Sequence, residues 1–282
     1  MTTTVAGRTR IEGLRGRGAG GSFGDGSVAW TVHRERVLLL SGGRSLLMQA
    51  AHPLALAGFL GHSAYDEEPW GRLWRTAHSM MMAIFGTREQ AEAVGERVRA
   101  MHTRVNGELT EPLGSFPAGT RYSAEDPELL LWIHANFVHG AIVVYEALVR
   151  RMSDRDKDAY HEEMKAVAEL FSLPAAAIPA TWADLDDYVE DMVASDVVTV
   201  TQQAREVARG TVLGPPLPLG LRQGWPLVNF LIAGLLPEPI RRGYGLGWTP
   251  AHTALFTATM AAGKRLAIPL VPTPLKRYSP RD

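Results

Sequence analysis

Apolar residues along this chain recur at intervals of three and four, the spacing of helices that bury one side, and sustained alternation is rare. From Trp30 onward the pattern predicts a helix through WTVHRERVLLL and another through RSLLMQAAHPLALAGFL. The second is interrupted at His52-Pro53, where a locked φ and a missing N–H favour a break. RLWRTAHSMMMAIFG reads as a helix that stops at Gly86. Thr87 with Gln90 three residues on forms a capping-box pattern, after which Ala91, Val94, Val98, Met101 and Val105 make one buried stripe. His102 follows Val98 by four residues and so borders that stripe rather than the polar side.

Residues 107–122 are rich in Gly and Pro and read as a connection, with Ser123 expected to cap the next helix. In that helix Leu130, Ile133, His134, Phe137, Val138, Ala141, Val144, Tyr145 and Leu148 repeat at helical spacing, so a second imidazole is offered inward. Further helical starts fall at Ser153, Thr181 and Pro250, and GTVLGPPLPLGLRQGWP is an irregular excursion ahead of an apolar helix. No internal repeat and no strand–helix–strand alternation is present, which predicts an all-α protein with a single large helical domain over 28–282. Residues 1–27 combine glycines with few apolar anchors and read as a flexible arm.

Composition narrows the chemistry. With 282 residues, 46% of them hydrophobic, the chain can build a substantial core. A formal net charge of -1 argues against nucleic acid as a partner, and zero cysteines exclude disulfides, thiolate metal centres and iron–sulfur clusters. The opening segment has arginines but no apolar core of a secretory signal, so a cytoplasmic address is expected. The run WPLVNFLIAGLLP, 225–237, is too short and too Pro-bounded for stable membrane insertion, which leaves at most a surface contact.

Several reactive classes lack their motif. His161-Glu162-Glu163 has no second histidine in zinc-protease spacing, no Glu is followed three residues later by His as in a di-iron bundle, and GSFGDGS lacks the Lys of a phosphate loop. His33, His78, His139, His161 and His252 stay unassigned, and His62 suits either an entrance or a helix end. RLWRTAHSM is more informative: Arg72 and Arg75 lie one turn apart beside tryptophans, with Thr76 next to them. Guanidiniums on an apolar surface suit carboxylate recognition, although solvation alone would also explain them. Together with His102 and His134 they make a set that haem would use, with imidazole for iron, arginine for propionates and helices for walls.

The strings GGRSLLMQAAHPLALAGFLGHS, RLWRTAHSMMMAIFG, HTRVNG, RYSAEDPELLLWIHANFVHG and YHEEM, in this order between about Gly42 and Met192, resemble the family of fungal MpaB-type oxygenases and bacterial latex-clearing rubber oxygenases, in a broader bacterial branch. The resemblance implies a mostly helical haem b protein whose pocket lies among central helices and whose iron is held by the histidine of HTRVNG, here His102. It implies that Arg72 and Thr76 organise the distal side, that His134 has a pocket role, and that Leu130, Ile133, Phe137 and Met80 to Met82 wall the cofactor. Rubber-cleaving relatives carry lysine where this chain has Arg75, and arginine is a poor metal ligand because it stays protonated. The implied partners are dioxygen and an unsaturated, isoprenoid-like apolar small molecule, with an electron donor left open. Two alternatives remain at this stage: a non-enzymatic helical protein that binds haem or an apolar ligand, and a haem-less member of the same fold.

Overall fold

The computed structural model describes residues 23–24, 26–62, 69–215 and 219–278. Helices run as α1 (Val28–His33), α2 (Leu39–Ala50), α3 (Pro53–His62), α4 (Pro69–Phe85), α5 (Arg88–His102), α6 (Pro127–Leu148), α7 (Asp154–Leu170), α8 (Trp182–Ala194) and α9 (Gln202–Thr211). The C-terminal part adds α10 (Leu219–Arg222), α11 (Trp225–Leu235), α12 (Glu238–Gly243), α13 (Pro250–Ala262), α14 (Ile268–Leu270) and α15 (Thr273–Lys276), with a π-turn over Gly263–Ala267 joining α13 to α14. One small antiparallel pair, β1 (Asn106–Glu108) with β2 (Arg121–Ser123), completes the described elements. The architecture is all-α in class.

The core is organised around α6, which is apolar on every side and therefore has to be enclosed. Trp132, Ala135, Val138, Ala141 and Val144 on this helix are fully buried, and α1, α2, α7, α8 and α13 pack around it. By length and composition α6 can also cross a bilayer, but most of it is covered by neighbouring helices.

Local signals explain where the helices begin. The Thr87 and Thr181 capping boxes form as expected, with Gln90 and Asp184 answering the cap backbone, and Ser153 caps α7. The break at His52-Pro53 separates α2 from α3. Three expectations need correction. The cap of α6 is Asp126, whose carboxylate accepts from Glu128 N, because Pro127 at the first helical position fixes the start there. Ser123 instead belongs to β2 and pairs with Asn106, so the connection 107–122 includes most of a hairpin. Met101 is 53% exposed: Ala91 and Val94 are buried, but α7 ends at Leu170, where Arg99 donates to its carbonyl, and the last turn of α5 runs past it.

Of the arm drawn over 1–27, residues 1–22 and 25 lie outside the described residues. Phe23 is buried in the main core, and Ser27 caps α1 by accepting from Trp30 N. The N-terminus of α1 is also held at long range, since the Glu163 carboxylate on α7 accepts from Val28 N at 3.2 Å and Ala29 N at 2.6 Å. At the other end of the chain, Arg277 pairs with the buried Glu35 and Tyr278 N donates to the Arg34 carbonyl, which ties the C-terminal segment to the start of the bundle.

Candidate functional site

Helices α4 and α5 are separated only by Gly86 and Thr87, so they fold back on one another and pack along their length. The first turns of α4 and the last turn of α5 therefore share one end of the bundle. Arg72, Arg75 and Thr76 lie on α4 near that end, and His102 is the final residue of α5. Arg75 and Thr76 are exposed; the Arg72 side chain lies outside the described residues, as does that of His62 at the end of α3.

Beyond His102 the backbone is tightly fixed. The His102 carbonyl accepts from Val105 N at 2.9 Å, the Thr103 hydroxyl donates to Ala100 O at 3.1 Å, and Ala124 N donates to Val105 O at 2.8 Å. These bonds lead directly into the β1–β2 hairpin, whose register sets Gly107 opposite Tyr122. The Tyr122 ring lies across Gly107 and reaches Gly61 on α3: a Cβ would come within 2.6 Å of the phenol oxygen at Gly107 and within 3.0 Å at Gly61. Glycine at these two positions leaves room for the Tyr122 ring between α3 and the hairpin, and a side chain at either would require that ring to shift. A groove of about 580 Å³ opens beside the hairpin, lined by Glu108, Arg121, Tyr122, Ser123 and Asp126 among others, with both polar and apolar surface on its walls.

His102 is half-buried, and its Nδ1 is shielded from solvent with no hydrogen-bond partner. Burial pushes its pKa down, against a weaker opposing pull from the Glu125 carboxylate. The ring is therefore neutral at neutral pH, the form that can offer a lone pair to a metal. A shielded ring nitrogen without a partner has lost water and gained nothing, and a bound group on that side would restore the missing interaction.

His134 has different surroundings. It is 9% exposed in the middle of the α6–α7 contact, and its Nε2 is also buried without a partner. Burial, reinforced by His161 and Lys165, lowers its pKa to about 3. His161 bonds through Nε2 to the Pro179 carbonyl at 2.8 Å and leaves its own Nδ1 unpartnered. The expected wall residues divide between two clusters. Leu130 packs with Ala168, Leu173 and Ile178, whereas Ile133, Phe137 and Met80 pack against the main core. Phe137 is further occupied by His33, stacked on it at 5.3 Å with an interplanar angle of 7°.

One buried polar network was not readable from local pattern. Arg44 on α2, 1% exposed, donates from Nε to the Leu235 carbonyl at 2.9 Å and from Nη2 to His139 Nδ1 at 3.0 Å. His139 Nε2 lies 2.9 Å from Asp186 on α8, and the imidazole stacks on Trp182. A guanidinium only donates, so Nδ1 must accept and Nε2 must carry the proton it gives to Asp186. Burial lowers the pKa of His139, with Asp186 pulling it up and Arg44 pushing it down; Arg44 itself falls to about 10 through burial and stays charged. The sequence signal was a lone arginine inside an apolar helical segment, which needs a partner wherever it is buried.

Among the described residues no three His, Cys, Asp or Glu side chains converge to hold a metal ion.

The family profile described as ER-bound oxygenase mpaB/B'/Rubber oxygenase, catalytic domain, matches residues 30–265. That span contains α4, α5, α6 and the network around Arg44, and it extends well past the stretch from Gly42 to Met192 on which the sequence resemblance rests. Neither the curated proteins nor the solved structures contain a match to the chain.

Proposed function

The chain belongs to the mpaB/rubber oxygenase catalytic-domain family, and on that premise we propose that it is a haem b-dependent oxygenase in which His102 holds the iron. The observation that carries this reading is the state of His102: a neutral, half-buried imidazole with a shielded, unpartnered nitrogen, at the end of the bundle shared by Arg72, Arg75 and Thr76. One further feature supports it: Met101 leaves an apolar side chain uncovered next to His102.

When bound, haem supplies the dioxygen chemistry that no side chain of this protein can perform. The protein's own contribution is to fix and exclude. His102 anchors the cofactor, and the bonds from its carbonyl to Val105 and onward to the hairpin hold the anchor in place. Arg72 and Arg75 would meet carboxylates and Thr76 would orient a small polar group, while Leu130, Ile133 and Phe137 on α6 support the site from within the core, where they are already packed. His134, kept neutral by burial, is a pocket group rather than the anchor. The substrate class is an unsaturated, isoprenoid-like apolar molecule, cleaved with dioxygen so that both oxygen atoms end in two carbonyl products; no side-chain carboxylate base is needed.

An absorption spectrum of protein purified from haem-replete cells tests the reading. A Soret band with one haem per chain is expected. Protein that stays colourless, and does not bind added haemin, overturns it. Dioxygen consumption with unsaturated isoprenoids then separates an oxygenase from a haem carrier.

A further inference from the structure

The C-terminal helices carry an apolar surface that nothing in the described residues covers. Along the continuous helical run from α13 to α14, Leu255, Leu266 and Leu270 fall on one side, away from Phe256 and Met260, which face the body. Leu270 is 82% exposed, and Leu275 on α15 and Leu227 on α11 are exposed as well. Leucines uncovered in this number on adjoining helices are unusual for a free surface and mark a contact site.

Charge indicates the occupant. Residues 219–278 contain seven Lys and Arg against the single Glu238, a formal charge of +6, within a chain whose total is -1. Arg242 pairs with Glu238, and Arg277 with Glu35. Arg222, Arg265 and Lys276 have no carboxylate partner among the described residues, whereas Arg241 donates to the Ala233 and Leu236 carbonyls and Lys264 to the Glu146 carbonyl. A second copy docked symmetrically on this face would set like charge against like charge. The first 22 residues of the chain are no better suited, since they hold four arginines and one glutamate. An apolar face whose own helical segments carry Arg265 and Lys276 fits an anionic phospholipid surface, where leucines enter the acyl boundary and the cations meet headgroups.

We propose that the face formed by α11 and α13 to α15 docks on an anionic phospholipid membrane, without a helix crossing it.

Co-sedimentation of the full-length protein with vesicles of phosphatidylcholine alone or mixed with phosphatidylglycerol tests this. Binding is expected on the mixed vesicles only, weakening as salt rises. The double variants Leu266→Glu/Leu270→Glu and Arg265→Glu/Lys276→Glu should each weaken it by roughly tenfold or more, with circular dichroism unchanged. Failure of the wild-type protein to sediment with mixed vesicles at low salt, or equal binding to phosphatidylcholine alone, overturns the proposal whether or not the variants fold. A wild-type dimer in solution that Leu266→Glu/Leu270→Glu converts to monomer would also overturn it, by assigning the face to a second copy.

Discussion

Two histidines, His139 in the interior and His102 at the end of the α4–α5 pair, are treated in opposite ways by the fold. Both ring nitrogens of His139 are occupied, one by Arg44 and one by Asp186, and the ring is stacked on Trp182. The side chain is spent on joining α2, α6 and α8, and nothing is left with which to bind a ligand. At His102 the backbone is pinned while a ring nitrogen is withheld from both water and protein. A saturated imidazole holds a structure together, and an unsaturated one held in place is available for chemistry.

If that contrast is correct, disturbing the first region should cost stability and disturbing the second should not. The largest effect is expected for Arg44→Ala, which leaves His139 Nδ1 and the Leu235 carbonyl without their donor in the core. A loss of about 3 kcal/mol or more is predicted, read as a lower midpoint in urea; a loss below about 1 kcal/mol would mean the network does not hold the helices. Acid should act on the buried histidines next. His33 and His134 fall to about 3 and His52 to about 4, from a value of 6.5 when unfolded. Below pH 6.5 the unfolded chain therefore binds more protons than the folded one. Stability should be flat above that pH and fall on acidification toward pH 3, by up to about 1.4 kcal/mol per pH unit for each histidine. Urea midpoints that do not change between pH 7 and pH 4 would show that these rings are not held neutral.

Asp126→Ala should cost about 1 kcal/mol by removing the α6 cap, measured in the same urea titration; no change would assign the helix start to Pro127 alone. The smallest effect is expected for His102→Ala in the cofactor-free protein, within about 0.5 kcal/mol of wild type. A large loss there would erase the contrast and make His102 another structural histidine.

Much of the architecture was legible because its signals are local. Thr87 with Gln90, Thr181 with Asp184 and the His52-Pro53 break each specify a boundary from residues within one turn, and the helical repeat of apolar residues marked α6. Ser123 and Asp126 competed for one cap, and the proline after Asp126 decided it. What stayed hidden depends on contacts distant in sequence: Arg44 with His139 and Asp186, or Glu163 with the start of α1. Met101 was misplaced for a related reason, since periodicity shows which side of α5 is apolar but not where the neighbouring helix ends. At the candidate site, the order of motifs identified which residues to compare, but not that His134 would face His161 and Lys165 while His102 would stand near Glu125.

Haem content of His102→Ala and His134→Ala, purified side by side with the wild-type protein from haem-replete cells, tests the central claim most directly. The account predicts that His102→Ala is folded and free of haem, while His134→Ala retains about one haem per chain with altered activity. Full haem in His102→Ala, or its loss from His134→Ala alone, would contradict it and move the anchor to α6.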